Sequence, residues 1–290
     1  MNGVPHRAPG ERTSLDRLPG ERASLDRASL DRASTDDSST VAIIAIDLGN
    51  SAAKWCVDEQ PEQRVSLRST NWAECLIQEA TAAASGHSCS WRIASVNRPI
   101  TKLLVGRLLE EDPHADVKAV SCDDIPLVAK VSNPDRVGID RLLAAWMASQ
   151  LYRDVASIVV DAGSAITVDL VNKEAEFLGG VIMPGIALQF DSLARGTDAL
   201  PAIDLPLATE TSAESLPVPA TDTVSAIRSG ILLGTAAAID GLIRHLESRV
   251  DENDVKIVFT GGDAMLLSRL TTVRHDVLPR LDLDAIRALP

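Results

Sequence analysis

Aromatic residues are scarce in this sequence. Four tryptophans, three phenylalanines and one tyrosine make up 3% of 290 residues, while hydrophobic residues reach 45%. The core must therefore be aliphatic, built from Ala, Val, Ile and Leu, the usual content of sheets covered by helices on both faces. Excess positive charge is also missing, the formal net charge being −13. That argues against binding along a nucleic-acid backbone or on an anionic membrane surface. The four cysteines, Cys56, Cys75, Cys89 and Cys122, form no C-x-x-C pair and share no metal-ligand spacing with the five histidines. Unpaired thiols in a reducing compartment are the expectation. No uninterrupted run of about eighteen apolar residues occurs, so no membrane span is expected. The charged N-terminus lacks the apolar centre of a signal peptide, and a cytoplasmic protein is the simplest expectation. Neither G-x-x-x-x-G-K-[ST] nor G-x-G-x-x-G is present, which excludes a P-loop and leaves no dinucleotide fingerprint.

What is present begins with a repeat of five in residues 1–40. Arginine falls at 7, 12, 17, 22, 27 and 32, and from 12 onward an acid precedes each one. A step of five turns a helix by about 140° per repeat, so the leucines gather on no single face. With balanced charge and interspersed Pro, Gly and Ser, the segment cannot bury enough to offset its ordering entropy. A disordered tail is expected, serving either for docking or as sequence from an upstream translation start. The remaining 250 residues suit one large domain or two of ordinary size.

Residues 41–54, VAIIAIDLGNSAAK, organise the rest of the chain. An apolar, β-branched run breaks at Asp47 into an acid, a glycine, an amide and a hydroxyl, with Lys54 after it. An acid can hold a hydrated cation, a glycine lets backbone N–H groups approach oxygens, and Asn, Ser and Lys supply donors. Two further strands, 53–57 and 65–69, continue as a meander. Then come a helix over 72–84, a strand over 91–96, a helix over 101–111 and a short strand over 117–120. The helix over 139–151 carries Leu142, Leu143, Trp146 and Met147 on one stripe.

A second unit repeats this outline. A buried strand at 157–161 ends in Asp161, followed by Ala162, Gly163 and Ser164, and strands at 165–171 and 176–183 continue it. Pro184 suits the first position of a helix running through 185–194. A Pro-, Thr- and Ser-rich loop spans about 196–222, then a long helix 224–250, a strand 256–259, and a Thr-Gly-Gly-Asp turn at 260–263 opening another helix. Two halves, each with an acid–glycine turn after its first strand, predict an α/β protein of two domains, 41–152 and 153–290. The fold expected is the duplicated, mixed-sheet, ribonuclease H-like architecture of actin, the heat-shock chaperone ATPase and the sugar kinases. There, two facing turns grip ATP phosphates across a cleft.

Candidate chemistry comes from these turns. Asp47 and Asp161 are candidate cation-side acids, Ser164 a phosphate donor, and Gly261 and Gly262 a close approach to a nucleoside at a helix start. Between the two turns lies Asn133-Pro134-Asp135-Arg136-Val137-Gly138-Ile139-Asp140-Arg141, with Asp140 and Arg141 in the first turn of a helix facing the second half. Phosphoryl transfer to an alcohol wants a carboxylate to accept the hydroxyl proton, and a carboxylate substrate wants an arginine.

The ordered set DLGNSAAK (47–54), NPDRVGIDR (133–141), DAGSAITVD (161–169), GGVIMPG (179–185), DTVSAIRSGILLG (222–234) and TGGDA (260–264) resembles type III pantothenate kinase, the bacterial enzyme that starts coenzyme A synthesis. The resemblance covers about 41–270. It implies that Asp47, Leu48, Gly49, Asn50, Ser51, Ala52, Ala53 and Lys54 line the ATP phosphates, with Asp47 near Mg²⁺ and Ser164 a further ATP contact. It implies that Gly138, Ile139, Asp140 and Arg141 form the pantothenate segment, with Asp140 the proton acceptor. Asp161 matches the site of an activating monovalent cation, K⁺ or NH₄⁺, and Thr223 a pantothenate contact at a homodimer interface. Ser51 and Ser164 replace the commoner threonine and keep its hydroxyl; Val131 stands where many members have an aromatic residue. The alternatives are another small-molecule kinase of the same superfamily, acting on a sugar or acetate, and a non-catalytic regulator derived from the family. A regulator would be expected to have lost Asp47, Asp140 or Asp161, and all three are kept. No nucleic-acid or membrane partner is expected.

Overall fold

The computed structural model describes residues 41–250 and 254–290; the expected tail, 1–40, lies outside the described residues. Strand β1 (Ala42–Leu48) is central to a five-stranded sheet. It pairs antiparallel with β2 (Ala52–Val57), which pairs antiparallel with β3 (Gln63–Ser66). On its other side β1 pairs parallel with β4 (Cys89–Ser95), and β4 with β5 (Asp116–Ala119). Helices α1 (Trp72–Ala83) and α2 (Arg98–Glu111) fill the connections. The two faces of β1 divide by size. Ile44, Ile46 and Leu48 point into a cluster with Trp72, Leu76, Leu104 and Leu108 of α1 and α2. Ala45, with Cys56 and Ala94 beside it, faces the other way. These small side chains admit helices close to the sheet, because alternate residues of a strand point to opposite faces.

The helices admitted there are α3 (Ile139–Leu151) and α7 (Leu281–Ala288). The same apolar cluster includes Val159, Val171, Phe177 and Val258 of the second sheet. Helices α3 and α7 therefore form a shared layer packed on both sheets. Within the second sheet, β7 (Ala156–Ala162) pairs antiparallel with β8 (Ala165–Val171), and β8 with β9 (Glu176–Pro184). Parallel strands β10 (Val255–Thr260) and β11 (Asp276–Val277) extend it on one side. Its far side is covered by α4 (Ile186–Gly196), α5 (Thr223–Glu247) and α6 (Ala264–Ser268).

The strand orders β3-β2-β1-β4-β5 and β9-β8-β7-β10-β11 are the same order twice, so the duplication expected from the sequence is present in the topology. Helix α3 follows the last strand of the first set as α7 follows the last strand of the second. Two elements cross the 152/153 division. The two-residue strand β6 (Val128–Ala129) adds to the second sheet beside β9, and α7 packs on β1, β2 and β4 of the first. All of this belongs to one compact unit.

The structure differs from the sequence reading in places. Pro184 ends β9 opposite Ala165 at the end of the ladder, where a missing N–H is tolerated, and α4 begins only after Gly185. The helix opened by the Thr-Gly-Gly-Asp turn is a short α6, and α5 stops at Glu247. Helix α5 is long and apolar enough by length and composition to cross a bilayer, with mean hydropathy 1.4 over its most apolar stretch, of which 44% is buried in the fold.

Leu283 and Ile286 of α7 are fully buried against the shared layer. Truncating Leu283→Ala is expected to cost about 2–5 kcal/mol, the range for deleting a buried leucine side chain. Urea unfolding checks it, and a loss below about 1 kcal/mol means α7 is not docked as described.

Candidate active site

The two acid–glycine turns stand at equivalent places, at the carboxyl ends of the central strands β1 and β7, where open α/β sheets receive ligands. In the first, Gly49 N donates to Ala52 O at 3.1 Å; in the second, Gly163 N donates to Ala165 O at 3.0 Å. Asp47 and Asp161 are each the second-last residue of their strand. Asn50, Ser51 and Ser164 are exposed at the turns. The third turn closes onto the second: Asp263 N donates to Ala162 O at 2.9 Å. Gly261 has φ +91°, and a Cβ there would overlap the Asp161 carboxylate and Ala162 O, so glycine is required by the approach of the two turns. This gives Gly261 a place in the fold independent of any nucleoside.

Lys54 lies opposite Asp47 in the β1–β2 ladder. Its Nζ donates to Asp282 Oδ2 at 2.9 Å and lies 3.6 Å from Asp47 Oδ2. Asp282 sits at the head of α7 and did not emerge from the sequence reading. Enclosure by the protein pushes the Asp47 carboxyl well above its usual range, with the neighbouring Asp282 charge adding to it and Lys54 opposing. Burial, then Asp282, pushes Asp161 up to about 7. Burial works against the Lys54 charge, but Asp282 and Asp47 outweigh it and hold the ammonium above its ordinary value.

At the head of α3, Arg141 N donates to Asp140 Oδ1 at 2.9 Å. Gly138 makes room for this, since a Cβ there would overlap Asp140 Oδ1. The charge on Asp140 acts on Asp47, Asp161, Asp169 and Arg141 alike. Its charge is therefore felt at the acid of each turn. Arg141 departs from the sequence reading. Its Nε donates to Asp169 Oδ2 at 3.0 Å, its Nη2 also donates to Asp169 Oδ1, and its guanidinium lies 5.3 Å from the Phe177 ring centroid. Both partners belong to the second sheet. The Asp169 hydrogen bonds hold Arg141 above its ordinary value, while burial drives the Asp169 carboxyl up against Arg141's pull. Asp169 carried a signal in the sequence: an acid inside the apolar run AITVDLV needs a partner once buried. Asp282 carried none, because the helix that makes it a first-turn acid, α7, is itself not legible in the sequence.

Thr223 starts α5, whose N-cap Asp222 accepts from Ser225 N at 2.9 Å. It lines a groove of about 480 Å³ between α4 and α5 with Leu200, Ala226 and Ile227. Among the described residues no hydrogen bond or ion pair joins it to the Asp47–Lys54–Asp282 cluster. Val131 packs against Gly179 beside the shared core. Among the described residues no group of three or more His, Cys, Asp and Glu side chains is arranged to hold a metal ion by itself. Three carboxylates against one lysine nevertheless form a site of excess negative charge with hard oxygen donors, the chemistry that suits Mg²⁺ carried in with a phosphate ligand.

The family model for type III pantothenate kinase matches residues 43–245. A type III pantothenate kinase from Rhodopirellula baltica is 36% identical over 247 residues, covering 76% of this chain and 88% of that protein. One from Desulfatibacillum aliphaticivorans is 30% identical over 197 residues, covering 68% and 74%. Among solved structures, a conserved Baf-family protein from Campylobacter jejuni, described as a transcriptional activator, superposes with TM-score 0.55 at 21% identity, over 85% of this chain and 95% of that one. That likeness shows the fold.

The Asp161 shift has a consequence for stability. Its folded value of about 7 lies above the 3.8 of an unconstrained carboxyl. The folded state therefore holds this proton more tightly, and the stability it contributes is present below pH about 4 and lost as pH rises through 7. In cation-free buffer, wild-type protein is expected to lose more stability between pH 4 and 7 than Asp161→Asn. Parallel thermal-melt profiles for the two would remove the assignment.

Proposed function

The chain belongs to the type III pantothenate kinase family and catalyses the ATP-dependent phosphorylation of pantothenate in coenzyme A biosynthesis, and we propose that Asp140 accepts the proton of the reacting hydroxyl between two turns that hold the triphosphate. The observation that carries this is convergence: Asp47 and Asp161 stand at the carboxyl ends of the two central strands, and the charge of Asp140, from a third segment, helps raise both of their carboxyls. One oxygen of Asp140 is occupied by the Arg141 amide; the other is left to receive a proton from the primary hydroxyl of pantothenate.

In this reading the backbone of Asp47, Leu48, Gly49, Asn50, Ser51, Ala52 and Ala53 wraps the ATP phosphates. Lys54 and the hydroxyls of Ser51 and Ser164 donate to phosphate oxygens, and Gly261 and Gly262 let the nucleoside approach. Asp47, directly or through water, would hold Mg²⁺, and Asp161 a monovalent cation, K⁺ or NH₄⁺. The excess of carboxylate over lysine supports both assignments. When bound, these cations offset phosphate charge. Gly138, Ile139, Asp140 and Arg141 line the pantothenate side, with Arg141 donating from the guanidinium nitrogen that Asp169 leaves unused. Thr223 would contact pantothenate across a homodimer built on α5. The protein itself supplies mostly positioning and electrostatics, the main needs of phosphoryl transfer. The two halves, 41–152 and 153–290, act as the two walls of the cleft, and the protein works in the cytoplasm without nucleic-acid or membrane partners.

Asp140→Asn is expected to lower kcat by about 10²–10⁴, the usual contribution of a positioned general base. A coupled ADP-release assay with pantothenate, with and without K⁺, measures it. A fully active variant removes the role from Asp140, and an unchanged rate without K⁺ or NH₄⁺ removes the cation role from Asp161.

A further inference from the structure

The duplicated topology gives Asp140 a counterpart. Helix α3 follows the first strand set and α7 the second, and each carries an aspartate as its second residue, Asp140 and Asp282. The two side chains even make the same local bond. Each carboxylate accepts the backbone N–H of the next residue, Arg141 or Leu283, at 2.9 Å. Their outward partners differ: among the described residues no side chain bonds to Asp140, whereas Asp282 Oδ2 takes the Lys54 ammonium at 2.9 Å.

We propose that Asp282 is a positioning residue of the phosphate site, fixing the Lys54 ammonium so that it meets the phosphates of ATP already oriented. A lysine ammonium has three donors. Asp282 takes one at 2.9 Å, Asp47 lies beside a second at 3.6 Å, and the third is left for a ligand oxygen. The lysine and Asp282 side chains are only 19% and 12% exposed, so the contact is shielded from solvent. Without it a four-carbon stem would carry a mobile point charge, and ordering it would fall on nucleotide binding. Docking of α7 does not require Asp282: Leu281, Leu283 and Ile286 provide buried apolar contacts, and Leu281 N donates to Thr260 Oγ1 at 3.4 Å. The helix therefore stays in place when Asp282 is replaced, and the effect of replacement passes through Lys54. The proposal rests on the reading of Lys54 as a phosphate ligand.

A double-mutant cycle on the full-length enzyme tests it. Asp282→Ala is expected to lower kcat/KM for MgATP about tenfold, within the coupling range of contacting groups, while leaving KM for pantothenate unchanged. Asp282→Asn, which keeps an acceptor without the charge, is expected to lose less, and it serves as the folded variant should Asp282→Ala not fold. On a Lys54→Ala background neither substitution is expected to lower kcat/KM further. Additive losses, an unchanged kcat/KM in the Asp282 variants, or a matching rise in both substrates' KM values would overturn the role of Asp282 alone. A Lys54→Ala enzyme with full kcat/KM for MgATP would overturn the Lys54 reading and this proposal together.

Discussion

One charge imbalance governs the centre of this molecule. Asp47, Asp161 and Asp282 converge near the ends of β1 and β7, and Lys54 hydrogen-bonds to Asp282 and forms an ion pair with Asp47. Burying carboxylates in excess of cations is costly, and the cost is visible in Asp47 and Asp161, both pushed up by burial and by the neighbouring Asp282 charge. A core under selection for stability alone would not keep such a cluster, because apolar replacements of buried ions are often neutral or stabilising. The arrangement makes sense for a site that completes itself with cations and with the donors of its turns only when an anionic ligand arrives.

The duplicated fold explains how the cluster is assembled. Two copies of one strand order place two strand ends and two helix heads around one cleft. The small residues Ala45, Cys56 and Ala94 let α3 and α7 share the layer between the sheets. Since helix N-termini carry partial positive charge, an aspartate in the first turn of each is locally favoured. The same position then serves two ends. At α3 the charge of the aspartate reaches the acids of both turns; at α7 the aspartate holds the lysine of the opposite half. Chain topology brings together two groups, Lys54 and Asp282, that are 228 residues apart.

Local chemistry made the turns legible in the sequence. An apolar strand broken by Asp-x-Gly and a hydroxyl is a short-range signal, and it recurred at Asp161. The strands and α3 followed from periodicity of two and 3.6. Helix α7 did not, since eight residues of LDLDAIRA give barely two turns of pattern and its purpose depends on docking against β1. Strands β6 and β11 have two residues each and are defined by their neighbours. Gly261 shows a different limit: its glycine was legible, but its reason was read as room for a ligand, whereas the nearest demand on it comes from the Asp161 carboxylate.

Arg141 shows how a partner changes what a residue can do. Read from the sequence, an arginine beside the proposed base is a free positive charge for a carboxylate substrate. In the fold, Asp169 takes its Nε and Nη2, and Phe177 lies against its plane. A guanidinium so neutralised exerts little net attraction on a distant carboxylate, and breaking the pair would leave a buried charge uncompensated. What remains is a donor with a fixed direction. That suits orientation of hydroxyl groups near the reacting oxygen better than capture of the carboxylate end, because a hydrogen bond acts at contact whereas a charge acts at range. In the proposed reading the long-range pull on the anionic ligand would come from the cations that the acids would hold and from the helix heads, which returns the electrostatics of the site to the excess of acid around Lys54.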